Sequence, residues 1–396
     1  VYIPTASQYI SRYSLLGTFA HELMEAFAAV GCIVNAPQHP RDQRGIFIFF
    51  NTPTHVEKLL AWVESTVGSL TNAALLHFFV DHPLALPSAQ LDVLSKVPTY
   101  RLLLPCRDDA HLIRFRWPML KHMTCPHGVP AAALCPTEPM AQDFLAPHTR
   151  GDRPIPLIIA GSIHTPEELA ALRGAVPREL HSMCDAVIAM QVMHPSMPLT
   201  QAFDLTLPAG VVSADHWRLL TVVQQYTTAA VNRERRIALV QAMQGIPTMV
   251  LGPAAWEPFA TGTIQYGAET AYADIPANLA RARVCLAWGP TQFAHTFSER
   301  LLLAFASGCA TVADDRLLTR MHFAESPETA ACSIADFSNP PAAREAVEVL
   351  LDQPEVALEI AGRGRAAVEA GHLWSHRLDT FAAAATDCWR NSEGAA

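Results

Sequence analysis

No apolar run in the 396 residues reaches the length of a membrane-spanning helix, and no basic-then-apolar leader opens the chain. The expectation is a cytoplasmic globular protein without a transmembrane segment. The start at Val1 instead of Met fits removal of a short leader or tag. Charge is scarce: 16% of residues are Asp, Glu, Lys or Arg, and the balance is −9. That denies the chain the basic face that general nucleic-acid binding requires. Disorder is excluded from the other side, because half the residues are hydrophobic. The nine cysteines are odd in number and none stands in a Cys-x-x-Cys pair. Such spacing suits neither a disulfide framework nor a structural zinc. The 17 histidines include no His-Glu-x-x-His or comparable helical pair, so no metal site is expected. Low-complexity tracts and solenoid-period repeats are missing too. The length allows two domains, each with its own core.

What is present is concentrated between Val284 and Asp315. Val-Cys-Leu-Ala-Trp reads as a strand and Gly-Pro-Thr-Gln-Phe-Ala-His-Thr-Phe as a loop. A helix opens at Ser298 and stops at Gly308, and a second strand ends in Asp314-Asp315. This is one βαβ unit, so the two strands are parallel. Ser298 is the expected N-cap and Gly308 the left-handed stop. Leu301, Leu302, Leu303 and Phe305 make the helix apolar nearly all round, which places it between a sheet and other protein. Its N-terminus, with free amides and the positive end of the dipole, favours an anion such as a diphosphate.

Elsewhere strands and helices alternate. Up to about Arg150 the expected strands are Cys32–Val34, Gly45–Phe50, Ala73–Val80 and Tyr100–Leu104. Thr54-His55-Val56-Glu57 is read as a capping box opening a helix to Val67. Ala146 to Pro156 reads as a linker. A second α/β domain then begins with the strand before Gly161-Ser162, and Thr165-Pro166-Glu167-Glu168 opens a helix. Arg233-Glu234-Arg235-Arg236 is read as the charged first turn of a helix, either meeting phosphates or facing solvent. Later strands are expected at Pro247–Leu251, Thr263–Tyr266 and Ala331–Ile334. Alternation of this kind means parallel sheets covered on both faces, with ligands beyond the carboxyl ends of the strands.

Two blocks resemble a known family. Ser298-Glu299-Arg300 with Ala304-Phe305-Ala306-Ser307-Gly308-Cys309 is similar to the donor segment of GT-B glycosyltransferases, in the branch related to CgeB-type enzymes. Ile360–Arg365 followed by His372-Leu373-Trp374-Ser375-His376-Arg377 resembles the closing helix of that branch. Leu303 departs from the pattern, since the family has Glu there. The resemblance implies two Rossmann-like domains, 1–150 and 151–372, facing a central cleft, and a final helix over 373–396 crossing back to the first domain. It implies a metal-independent glycosyltransferase, of hexosyltransferase class, with a nucleotide-diphosphate sugar as donor substrate and no separate cofactor. The acceptor would be a protein, a glycan or a lipid-linked glycan.

Under that resemblance Gly161, Ser162 and Gly252 would admit the donor's phosphates, alongside His295, Thr296, Phe297, Ser298, Glu299 and Arg300. Arg300 is the candidate phosphate cation, or else an ion-pair partner of Asp314 or Glu299. His295 is a possible hydrogen-bond donor to the pyrophosphate or sugar. Asp81 and His82 follow a strand directly, so they stand where chemistry would be. Asp81 would be general base for an inverting transfer, or an acceptor-positioning group for a retaining one; both residues also suit a plain turn. A ligand-sized gap is expected at the helix tip before Leu301. Because of Leu303, a non-catalytic nucleotide-sugar-binding protein stays open, as does a nucleotide-sugar epimerase.

Overall fold

The structure is a computed structural model, described here for residues 1–3, 15–35, 43–50, 55–135 and 153–393. Two compact units divide the chain. The first comprises Val1–Gly128, Ser213–Arg218 and Trp374–Ala396; the second comprises Val129–Val212 and Leu219–Leu373. Expected linker residues 146–152 lie outside the described residues.

The first unit holds a four-stranded parallel sheet in sequence order, β1 (Gly45–Phe50), β2 (Ala73–Phe78), β3 (Tyr100–Leu104) and β4 (His122–Thr124). Every residue of β2 and β3 is buried, as near-continuous apolar runs in a doubly covered sheet should be. Two polar side chains break the runs, Arg101 in β3 and His77 in β2; His77 bonds the Tyr100 hydroxyl through Nδ1 at 2.7 Å. Burial holds its pKa down at about 3, so the ring stays neutral.

Cys32–Val34 is not a strand. Helix Leu15–Ala29 ends in a Schellman arrangement, with Gly31 N–H on the Ala28 carbonyl and Cys32 N–H on the Phe27 carbonyl, and the chain is spent on that cap. The next helix, Val56–Val67, has His55 at its N-cap with no side-chain cap bond, and Thr54 of the expected capping box lies outside the described residues.

The C-terminal segment Trp374–Ala396 is part of the first unit. Helix Leu378–Glu393 lays Phe381 against Phe78 and Phe27. Trp374 Nε1 donates to Glu22 at 2.7 Å, Arg377 bonds the carbonyls of Pro126 and His127, and Arg101 pairs with Asp387 at 2.6 Å.

The second unit holds six parallel strands: β5 (Ile155–Ala160), β6 (Thr248–Leu251), β7 (Ile264–Tyr266), β8 (Ala282–Ala287), β9 (Ala310–Asp314) and β10 (Ser333–Ala335). Their spatial order is β10-β9-β8-β5-β6-β7. Counted within the unit, this is the doubly wound dinucleotide-fold order, and its direction of winding reverses between β5 and β8. Helix Glu299–Ala306 joins β8 to β9 and is buried over almost its whole surface. Gly308 closes it at φ 69, with its N–H on Phe305 and that of Cys309 on Ala304. Thr165 and Glu168 form the expected capping box. The arginine-rich stretch does not start a helix. It lies deep in a 26-residue one, Trp217–Ala242. Among the described residues no helix is long and apolar enough to cross a membrane.

Candidate functional site

In the second unit the strand order makes the crevice beyond β5 and β8 the place where a ligand of such a fold sits. Gly161-Ser162 follows β5, and the loop Gly289–Phe297 follows β8 and leads into helix Glu299–Ala306. Four guanidinium groups gather here. Arg235 and Arg236 come from the long helix, Arg300 from the second position of helix Glu299–Ala306, and Arg316 from the turn after β9.

Among the described residues, two carboxylates, Asp314 and Glu299, pair with members of this group. Asp314, at the end of β9, takes Arg316 at 3.1 Å and Arg235 at 3.3 Å. Glu299 stands 3.7 Å from Arg300 Nε. Arg236 donates to the Ser162 carbonyl and lies over the Trp288 ring at 5.2 Å. Burial first, then the like charges of Arg300, Arg235 and Arg316, press the Arg236 pKa well below its usual range, with Glu299 opposing. A guanidinium does not give up its proton in a protein, so Arg236 stays charged beside the like charges of Arg300, Arg235 and Arg316. Among the described residues, Arg300 Nη1 is buried with no hydrogen-bond partner. The alternative pairing of Arg300 with Asp314 is not made; Asp314 is occupied by its two other arginines.

Gly161 and Gly252 are glycines for a packing reason. A Cβ on Gly161 would stand 2.6 Å from Trp288 Nε1, and one on Gly252 would stand 2.2 Å from the Gly161 carbonyl oxygen. Trp256 stacks on Trp288 at 6.0 Å and donates to that same carbonyl at 2.8 Å. The two tryptophans thus fix the backbone at the ends of β5 and β6, while Arg233 and Arg236 hold the carbonyls of His164 and Ser162.

The helix tip is enclosed. Thr296, Phe297, Ser298 and Glu299 are buried, whereas His295 and Arg300 keep partial exposure. Ser298 occupies the N-cap position with extended backbone but makes no side-chain cap bond. Phe297 packs edge-on to Phe323 and His372. The cavity beside Ser298, Trp288 and Arg316 measures about 10 Å³, room for roughly one water. That cavity, lined by described residues of the second unit, is too small by itself for the expected ligand. Arg316 explains why: its guanidinium bonds the carbonyls of Pro290 and Phe293, drawing the loop onto the tip, and Thr291 is tied to Asn232 at 3.0 Å. Leu303 is fully buried, so the place where the family carries Glu belongs to the core.

In the first unit, Asp81 and His82 follow the carboxyl end of β2. His82 is fully buried. Its Nδ1 accepts the Leu84 N–H at 3.1 Å, which leaves the proton on Nε2, directed at Asp109 at 2.8 Å. Both ring nitrogens are thereby engaged in holding the turn. Asp81 is partly exposed and accepts the His82 backbone N–H at 2.7 Å.

Sequence reading missed Arg316 and gave Arg235 and Arg236 no better than a choice between phosphate and solvent. The available signal is three arginines within four residues, Arg233, Arg235 and Arg236, midway along a long helix-forming stretch. It was obscured by starting that helix at Arg233.

Comparison with known proteins fits this geometry. A glycosyl transferase-like family domain matches residues 233–383, the stretch that supplies all four arginines. No curated relative matches the chain in sequence. Among solved structures, the sucrose-phosphate synthase of Thermosynechococcus elongatus is 12% identical, covers 96% of each chain and superposes with a TM-score of 0.51. A glycosyltransferase from Rickettsia africae is 9% identical, covers 98% of this chain and 97% of its own, with a TM-score of 0.50. At such identities the likeness is one of fold.

Proposed function

We propose that this chain, whose residues 233–383 match a glycosyl transferase-like family domain and whose fold is like that of GT-B enzymes, moves a sugar from a nucleoside-diphosphate donor to an acceptor, without a metal. The observation that carries the reading is the excess of guanidinium over carboxylate at the switch point, next to the amino end of helix Glu299–Ala306. A leaving diphosphate needs positive charge fixed in place before reaction. Arg300 offers a buried donor without an acceptor among the described residues, and Arg236 and Arg316 stand close enough to perturb one another. Free helix amides add to the same field. Such a set supplies from side chains and backbone the charge that other enzymes take from a cation.

Donor entry then includes a displacement of the loop Gly289–Phe297. A diphosphate competes for Arg316, releases the carbonyls of Pro290 and Phe293, and uncovers the tip. Asp81 serves on the acceptor, as base for inversion or as positioning group for retention, with His82 and Asp109 bracing its turn. The acceptor is a glycan, a protein or a lipid-linked glycan, and a cytoplasmic setting is part of the proposal. The test is a thermal-shift screen of UDP, GDP, dTDP and ADP and their sugars, followed by release of the nucleoside diphosphate from any sugar that binds. Stabilisation by none of them would end the donor assignment.

A second reading has its own observation: Leu303 is core and the tip is closed, as in a protein that binds a nucleotide sugar without turnover. Donor binding with no diphosphate release in the presence of acceptor-containing extracts would select it. Acceptor-independent release of an epimerised sugar would select an epimerase.

A further inference from the structure

The loop Gly289–Phe297 is tied down from two sides, by groups of different chemistry. Arg316, after β9, holds the carbonyls of Pro290 and Phe293. Gly289 lets it approach: a Cβ there would stand 2.4 Å from Arg316 Cζ. Asn232, on helix Trp217–Ala242, is the other fastener. Its Oδ1 accepts the Thr291 hydroxyl at 3.0 Å and the Thr291 backbone N–H at 3.2 Å. A backbone N–H can only donate, so the amide oxygen of Asn232 is the atom turned to the loop. Thr291 is 2% exposed. Breaking the tie with the loop in place therefore takes the acceptor from a buried N–H.

Asn232 stands one turn before Arg235 and Arg236, on the same helix face. That face is fixed in place: Arg236 donates to the Ser162 carbonyl, and Arg235 reaches Asp314 at 3.3 Å. The fastener is thus mounted on a rigid support, and what moves on release is the loop. Closure also has a cost. With the loop down, the Trp288 indole N–H and Arg300 Nη1 are buried without acceptors among the described residues, and each such donor disfavours the closed form. A diphosphate is drawn to Arg316 by charge. The neutral Asn232–Thr291 tie exerts no such pull and has to open of itself.

We infer that Asn232 is an autoinhibitory latch: its bonds to Thr291 keep the loop over the amino end of helix Glu299–Ala306, and the released form admits the diphosphate. The open form is then a minor state of the free protein, and the apparent donor affinity is reduced by the fraction of loop that is open. Asn232 touches neither donor nor acceptor in this scheme; it is a positioning residue. That a diphosphate enters beneath the loop rests on the donor reading above, whereas Asn232 holding the loop does not.

The test reads both on the full chain. Hydrogen exchange with mass spectrometry follows residues 289–297 in the ligand-free protein, and calorimetry follows binding of UDP and of inorganic pyrophosphate. Asn232→Ala should speed exchange in that loop about tenfold, with the strands of the second sheet unchanged, and should tighten diphosphate binding roughly three- to tenfold. Thr291→Val, which keeps the side-chain shape and loses the hydroxyl, should shift both in the same direction by less, and Thr291→Ser should match the parent. A merely structural Asn232 gives the opposite sign, weaker binding in the Ala variant. If Asn232→Ala does not fold, Thr291→Val against Thr291→Ser decides by the same two readouts. Unchanged loop exchange, or faster exchange with unchanged or weaker diphosphate binding, overturns the latch. Faster exchange with no diphosphate bound by parent or variant supports the latch and removes the donor reading.

Discussion

Arg300→Met separates a donor-binding arginine from a structural one, because the two roles predict opposite signs in one experiment. In the free protein Arg300 brings a positive charge into a group of like charges and leaves Nη1 buried without an acceptor. An unsatisfied buried donor costs about 1–3 kcal/mol. Its long contact with Glu299, 3.7 Å, returns little of that. Methionine keeps the length of the side chain and removes the charge, so the free variant should melt higher. At roughly 2–4 °C per kcal/mol for a unit of this size, the rise is a few degrees. With ligand the sign reverses. A charge-assisted bond to phosphate contributes about 1.5–3 kcal/mol, so the variant should bind a nucleoside diphosphate roughly 10- to 100-fold more weakly. At a concentration stabilising the parent by about 2.7 kcal/mol, the variant would gain only about 1.4 to 0.4 kcal/mol. Differential scanning fluorimetry with and without the best-binding diphosphate reads both effects. A variant that melts lower when free and shifts as far as the parent with ligand would refute the assignment and make Arg300 structural.

Asp81→Asn should lower kcat by orders of magnitude while leaving donor affinity unchanged, as removal of a base or positioning group does; equal turnover would retire Asp81. Gly161→Ala should destabilise by about 1–3 kcal/mol through overpacking against Trp288, read as a lower denaturation midpoint in urea. The folded-state pKa of His77 is held near 3 by burial, against 6.5 when free. Protonation thus favours the unfolded chain, and stability present above pH 6.5 should decline as pH falls towards 3, by up to about 5 kcal/mol. His77→Phe should flatten that acid limb, and an unchanged slope would contradict the cause. Burial raises Glu22 to about 7, with the Trp374 bond opposing. Its contribution is complete below pH 4.5 and is lost as pH rises through 7, about 3 kcal/mol in all. Glu22→Gln, which still accepts from Trp374, should therefore be more stable than the parent at pH 8.5 but not at pH 4.5.

Much of the scaffold was legible in the chain because it rests on local chemistry. Apolar runs bounded by turn residues gave β1, β3, β8 and β9. Thr165 and Glu168 satisfied each other's backbone within one turn, and Gly308 supplied the positive φ that ends helix Glu299–Ala306. Where the reading slipped, the reason was equally local. Cys32–Val34 has strand-like residues, but the Schellman cap at Gly31 claims its first amide. Ala331–Ile334 was placed two residues early, since only pairing with Val312–Asp314 sets the register of β10.

The candidate site divides in the same way. Residue types at strand ends, Gly161, Ser162, Ser298, Arg300 and Asp81, follow from the order of elements, which sequence alone determined. Charge balance does not. Whether Arg236 faces solvent or lies against Arg300, Arg316 and Trp288 depends on three segments far apart in the chain meeting at one edge of a sheet. The same holds for the closed tip, which Arg316 creates by holding carbonyls 23 and 26 residues away. Periodicity and turn chemistry act over a few residues and so are written into the sequence. Electrostatic excess and enclosure are sums over neighbours, and only tertiary structure names the neighbours.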